Sequence, residues 1–492
     1  MKRFFVLIIA LVLSVCLAAC TEVENDPVCT DETGPDKCPV TEETKGNVPL
    51  NTEIEVDWDW PDYDGYEFTF LTDKSVERLI SAGEGYSVID DGLLRRNNIL
   101  TQKYNVIFTQ ERVSDLVATV RTRSLGDSVD FNVIMGSAES LSTLAREGLL
   151  VDLGSVSRFD MTKNYWDKNA AEQLSVGGKL YFSNSALNVE TFGKMLFFNK
   201  ELIKKYSLAN PYELMDKNEW NLTNFMEIAK AVSGDVNRGG QLTDGELGGV
   251  LFDKESVFGF LGGAGVRLTS NDKQKEEVAA DFDVAKATDV LSRVQNLLET
   301  KAGRLIDDIK PEKGYDTVRD YARELYMQDG FIFFSGDEDD VMGLIDMESE
   351  YGIVPFPQYD ESQGGYYSLY PHDGVMIAIP VGVDNMEMTA NIVEDGSYYS
   401  RVIMKQAWFE QLLQRRYVLD NESEKSLEIL YDNRIYDWGL IRDVGGIRAG
   451  ILESDLQTLK LDESYGRIKA SVEKGLEEYF RDLDGVSKGN IG

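Results

Sequence analysis

The chain carries a single histidine, His372, in Tyr370-Pro371-His372-Asp373-Gly374. Nucleophilic catalysis needs a serine or cysteine activated by a nearby base, and no GxSxG elbow accompanies this histidine. With one histidine and no CxxC pair, the usual ligand pattern of a zinc site is missing. No phosphate loop of the form GxxxxGKS/T occurs. Gly262-Gly263-Ala264-Gly265 lacks the strand-then-GxGxxG setting of a dinucleotide site and reads as a flexible loop after Phe258–Phe260. Glycoside hydrolysis needs only two carboxylates, and 86 acidic residues leave that chemistry open.

One constellation is sharper. Asp235 to Glu246 can be laid on a twelve-residue calcium loop, with Asp235 and Asn237 at positions 1 and 3, Gly240 at 6, Gln241 next and Glu246 at 12. Position 5 is Gly239, which offers no side-chain oxygen, and this favours a polar turn between a helix and a strand. A bound calcium would staple that loop and do no chemistry. No other cofactor is expected. Aromatic residues are plentiful, with 22 Phe, 23 Tyr and 6 Trp. Most belong in a core, but flat rings beside Asp, Glu, Asn and Gln also suit a sugar pocket.

These groups must be positioned by a body, and the chain describes one. Lys2 and Arg3 precede an apolar run from Phe4 to Leu17 that ends in Leu17-Ala18-Ala19-Cys20. That is the plan of a secretory signal over 1–19, and the run is too short to span a bilayer. Residues 20–60 are acidic and rich in Thr, Pro and Asn, with no sustained apolar period, so they read as a disordered tether. Cys29 and Cys38 lie in it and could pair outside the cytoplasm.

From Tyr66 onward, strand and helix periods alternate. Tyr66, Phe68 and Phe70 have period 2; Ile89, Leu93, Leu100 and Tyr104 have helical spacing. Strands follow at Asn105–Gln110, Phe131–Met135, Met195–Phe198, Phe331–Phe334 and Val375–Ile379. Helices are expected at Leu116–Arg123, Leu141–Leu150, around Phe225–Val232 and over Met386–Tyr417. This is an α/β chain with largely parallel sheets, and more than 400 residues of the pattern call for two lobes. The net charge of -36 repels nucleic acid and anionic lipid, and excludes nucleic acid as a partner.

Two resemblances sharpen this reading. Leu17-Ala18-Ala19-Cys20 resembles the lipobox of bacterial lipoproteins, which implies cleavage before Cys20 and lipidation of its sulfur. Four further segments resemble extracellular solute-binding lipoproteins of ABC importers, of the family 1 sugar-binding type. They are Ile89 to Val106; Leu196-Phe197-Phe198-Asn199-Lys200 through Asn210-Pro211-Tyr212-Glu213-Leu214 to Trp220; Tyr351 to Gln363; and Ile429 to Gly439.

The resemblance implies a two-lobed periplasmic-binding-protein-like fold (type II) with a hinge between the lobes. The N-terminal lobe would use 61–180 plus about 370–430, the C-terminal lobe 185–365, and a C-terminal helical segment, 431–492, would pack on both. It further implies a monomeric receptor on the outer face of the cell membrane that delivers a saccharide to a permease without making or breaking bonds. Strand ends and lobe crossings nominate Asp73, Lys74, Ser137, Tyr181, Glu190, Ser335, Gly336, His372, Asp373 and Trp438 as ligand contacts, and Trp220 as structural. Two alternatives stand beside this reading: a receptor for a peptide or polyamine, and a surface-anchored polysaccharide hydrolase.

Overall fold

The computed structural model describes residues 56–487 apart from 58, 75, 77–78, 80–87, 127, 189–192, 233–246, 273–276, 311–313, 345 and 415–419. Cys20, Cys29, Cys38, Glu190 and the candidate calcium ligands Asp235, Asn237, Gln241 and Glu246 lie outside these residues.

The first sheet is ordered β12-β3-β1-β2, from β1 (Tyr66–Asp73), β2 (Val106–Val113), β3 (Val133–Ser137) and β12 (Val375–Ala378). β1 lies parallel to β2 and β3, with Phe70 opposite Val133. Alternation sorts its side chains. Phe68, Phe70, Val133 and Met135 pack on one face under α1 (Val88–Tyr104) and residues of α12 (Met386–Gln414). Leu71 and Ile134 pack on the other under α2 (Leu116–Arg123) and α3 (Ala138–Arg146). Each of the short helices starts where a side chain can cap it: Asp115 for α2, Ser137 for α3 and Asp167 for α4 (Lys168–Leu174).

The second sheet is ordered β10-β4-β9-β5-β8, from β4 (Met195–Asn199), β5 (Gly248–Phe252), β8 (Gly303–Leu305), β9 (Phe331–Gly336) and β10 (Tyr351–Val354). One face, with Leu196, Phe198, Val250 and Phe333, packs under α7 (Leu222–Lys230), α8 (Ser256–Gly263) and α9 (Val284–Glu299). The other, with Met195, Phe197, Leu251 and Phe334, packs under α10 (Val318–Met327) and α13 (Asn421–Asp432). Asn199 and Asn210 cap α5 (Lys200–Lys205) and α6 (Pro211–Asp216), and Asn221 caps α7. Trp220 is fully buried and donates Nε1–H to Pro355 O at 2.8 Å, a structural role. The placement of α13 differs from a first-lobe boundary near 430, because Leu427 and Leu430 are buried with the second sheet.

The sheets are less parallel than expected. β12 runs antiparallel to β3, and β4 antiparallel to both β9 and β10. Both β4 and β12 follow a passage of the chain from one sheet to the other. A strand that enters its sheet from the neighbouring body starts where the resident strands end, so it runs against them.

The passages meet in a small parallel pair, β11 (Ser368–Leu369) with β13 (Arg434–Ile435). A Cβ on Gly193 would stand 2.3 Å from Leu369 O, so only glycine lets the first passage cross here. Arg434, buried, meets the buried Asp167 at 3.1 Å and lies 3.9 Å from the centroid of Tyr431. Tyr436 Oη donates to the same carboxylate at 2.7 Å.

Further elements are α11 (Glu338–Gly343), the hairpin β6 (Thr269–Asp272) and β7 (Glu277–Ala280), α14 (Trp438–Ile441), α15 (Ile447–Glu453) and α16 (Leu461–Ser487). Gly262 and Gly263, expected in a flexible loop, close α8 instead. Cβ atoms on Gly259 and Gly263 would collide with Phe356, and one on Gly262 with Leu369, so small residues let the helix press on the hinge.

Candidate ligand cleft

The carboxyl ends of parallel strands are where open α/β sheets present ligand groups. In the first body these ends are closely tied. Ser137 N donates to Asp73 Oδ2 at 3.2 Å, Ala138 N to Gly374 O at 3.0 Å and Glu139 N to His372 O at 3.2 Å. Four nominated residues, Asp73, Ser137, His372 and Asp373, therefore share one rim. Lys74 is exposed just beyond it, and its carbonyl accepts from Arg112 Nη2.

In the second body, Asp253 and Asp337 directly follow β5 and β9. Lys194, from the first passage, meets Asp253 Oδ2 at 2.8 Å. Arg319 meets Asp253 at 2.9 Å and Asp337 at 3.2 Å, and also holds Asp340, whose side chain is fully buried. Arg323 bonds the other oxygen of Asp340 at 3.0 Å. Beneath this cluster Ser335 Oγ and Ser256 Oγ are 2.7 Å apart, and a Cβ on Gly336 would strike Phe197 and Asp340. Ser335 and Gly336, both buried, form the base of the cluster and leave the side chains above them to meet solvent.

Charges link the two rims. Arg448 Nη2 reaches Glu139 Oε2 at 3.1 Å. Glu255 occupies the N-cap position of α8 without a side-chain cap bond. Burial pushes its carboxyl up, Asp253 and Asp373 push the same way, and Lys194 and Arg448 oppose them. Glu255 thus feels groups from both bodies. Burial also lowers His372, with the Arg448 cation acting in the same direction and Asp373, Glu139 and Asp443 opposing. Burial alone would raise Asp253, but Lys194 and Arg319 more than offset it and hold the carboxyl below the usual range.

Two nominated aromatics lie elsewhere. Trp438 is buried in the first body against Phe182, Tyr479 and Phe480, with ring centroids 5.4–5.6 Å apart. Tyr181 is buried in the same apolar cluster. The Tyr-Asp-Trp motif works through Asp437, which accepts from Leu268 N at 2.6 Å, Thr269 Oγ1 at 2.8 Å and Gly439 N at 2.8 Å. It fastens β6 to the start of α14. Sequence reading did not nominate Glu139, Lys194, Asp253, Glu255, Arg319, Asp337 or Arg448. Asp253-Lys254-Glu255-Ser256 after Val250-Leu251-Phe252 was the available signal: an apolar run followed by a helix start.

Among the described residues no cluster of three or more His, Cys, Asp and Glu side chains could hold a metal ion, and no helix is long and apolar enough to cross a membrane.

This fold is shared with solved sugar-binding proteins of ABC transporters. The galacto-N-biose/lacto-N-biose I-binding protein of an ABC transporter from Bifidobacterium longum superposes with a TM-score of 0.56 at 12% identity, over 85% of this chain and 98% of that one. A sugar transporter protein from Rhizobium etli in an open conformation gives 0.53 at 13% identity, over 85% and 99%. The GacH receptor of Streptomyces glaucescens, known unliganded and with acarbose, gives 0.52 at 15% identity, over 85% and 98%. At these identities the likeness establishes the fold. The sequence matches no protein-family model and no curated protein.

Proposed function

We propose that this chain is the substrate-binding component of an ABC importer. It captures a sugar or oligosaccharide between its lobes and presents the loaded, closed form to a membrane permease, with no chemistry on the solute. The observation that carries this reading is the pairing of the two rims across the β11–β13 hinge. Asp73, Ser137 and Asp373 stand on one side, and Asp253, Glu255 and Asp337 on the other, in a fold shared with sugar-binding receptors. A solute touching both rims makes its full set of contacts only when the lobes close, so its binding energy shifts the hinge equilibrium. Asp253 is already engaged at both oxygens, Oδ1 by Ser256 N and Oγ and Oδ2 by Lys194 and Arg319, so it orients the rim. Asp337, held through Oδ2 by Arg319, has no hydrogen-bond partner at Oδ1 among the described residues and offers that oxygen to a sugar hydroxyl, a charge-assisted bond of the strong kind. The surplus of carboxylates favours a polyamine as the second reading.

The same proposal places the mature chain on the outer face of the membrane, as a monomer held by a lipid on Cys20 through the tether. Anchoring beside the permease raises its effective concentration there.

A thermal-shift screen over lacto-N-biose, maltooligosaccharides, acarbose, short peptides and polyamines tests the ligand class. A saccharide that raises the midpoint and is recovered intact supports the receptor. Breakdown of that saccharide would sink it in favour of a hydrolase, and a shift with polyamines alone would move the solute class. Mass spectrometry of the membrane-bound protein checks the anchor: the N-terminal peptide should begin at Cys20 with acyl mass added.

A further inference from the structure

The face of α3 formed by Glu139, Ser142, Thr143 and Arg146 has the i, i+3, i+4, i+7 spacing of one helical stripe. Every member is engaged by the C-terminal segment. Arg448 meets Glu139 at 3.1 Å. Arg442 Nη1 donates to Ser142 Oγ at 3.1 Å and Thr143 Oγ1 at 2.7 Å. Tyr479 Oη donates to Ser142 O at 3.0 Å, and Arg146 pairs with Asp482 at 3.1 Å.

The same segment is moored to the other body. Lys254 Nζ donates to Leu452 O and Ser454 O at 3.1 Å each. Gln295 Nε2, from α9, donates to Leu456 O and Leu459 O at 2.8 Å each. Leu461, Tyr465, Val472 and Leu476 share an apolar cluster with Val290, Leu291 and Val294 of α9. Tyr479 and Leu483 fall in the first body's cluster, with Leu141 and Leu144 of α3. One helix of 27 residues therefore begins in one core and ends in the other. At 1.5 Å per residue it is about 40 Å of stiff rod.

We infer that α14–α16 form a strap across the hinge that sets the resting angle between the lobes. Rotation about the β11–β13 pair must shear the last turns of α16 along α3. The side-chain contacts on the α3 stripe are where the strap gives: Arg146, Asp482 and Glu139 retain 48%, 38% and 45% of their side-chain exposure, and exposed pairs are individually weak. The second-body end, held by four carbonyl bonds and buried leucines, stays fixed.

The test needs no ligand. Spin labels at Gln102→Cys on α1 and Lys217→Cys after α6 report the interlobe distance by electron–electron resonance, in the full chain with its four cysteines changed to Ser. The strap is loosened by Arg442→Ala with Arg146→Ala, and more mildly by Arg146→Ala alone. The double variant should widen the distance distribution at least 1.5-fold and shift its mean by several Å, the single variant by less, both with a cooperative thermal transition. Unchanged distributions in the folded double variant would overturn the strap. If the double variant does not fold, an unchanged distribution in the single variant overturns it.

Discussion

Two charge networks in this molecule look alike on paper and differ in what surrounds them. In the first body, Asp395 joins Lys103 at 2.6 Å, Arg158 at 2.7 Å and Tyr104 Oη at 2.8 Å, under the ring of Trp60, 4.6 Å from Lys103. In the second, Asp253 joins Lys194 and Arg319, with Asp337 and Asp340 attached. The Asp395 network is roofed by aromatic rings and bridges α1 to α12, whereas the Asp253 network caps the ends of β5 and β9 and faces Glu255 and the opposite rim. Charge, burial and bond count do not distinguish the two networks. Position relative to strand ends does.

That contrast can be broken by mutation. The largest effect is expected from Asp395→Ala, which leaves Lys103, 4% exposed, as an unpaired buried cation. Removing one partner of a buried pair costs about 3–5 kcal/mol. Denaturant unfolding should show that loss, while any saccharide response, measured where the variant is folded, persists.

Asp253→Asn should invert the pattern. It costs roughly 1–2 kcal/mol, as for a buried hydrogen-bonded group losing its charge, and weakens saccharide binding at least about tenfold, some 1.4 kcal/mol. Because the folded pKa is depressed, the Asp253 contribution is present above its unfolded value of 3.8 and is lost as pH falls through the folded value. The stability gap between variant and parent should therefore close in acid.

Glu255→Gln should stabilise. Burial raises this carboxyl, so ionisation opposes folding as pH rises above the unfolded value of 4.5. At pH 7 the variant should melt roughly 2 °C higher, and a pH series should show the gain vanishing near pH 4. The smallest effect belongs to Arg121→Ala. Its pair with Glu147 on the outer surface is half exposed, and unfolding should register under about 1 kcal/mol.

The fold was legible where period and position agreed. Phe68 and Phe70 against Thr69, and Leu93, Leu100 and Tyr104 along α1, declare a strand and a helix, and every strand expected from the apolar runs is present. β5 was not delimited, although Asp253 directly follows it. It starts with Gly248-Gly249, and glycine usually argues against a strand. Here a Cβ on Gly248 would strike the Phe331 ring and one on Gly249 would strike Ala229 O at 2.0 Å, so tight packing between neighbours demands the glycines.

The first rim was partly legible because Asp73, Ser137 and His372–Asp373 directly follow or precede recognisable strands. Arg319 and Arg448 come from helices whose nearness to the cleft depends on tertiary packing, which local pattern does not encode. Trp438 is the contrasting case: this aromatic beside a conspicuous motif packs in the core, and the neighbouring Asp437 makes the motif's connections.

The central claim is that a saccharide binds between the Asp253 and Asp373 rims. Titrating the purified chain and its Asp253→Asn variant with the same stabilising saccharide, by isothermal calorimetry at pH 7, tests it most directly. The account predicts one site in the parent and at least a tenfold loss in the variant with its fold intact. Equal affinity in both would contradict it.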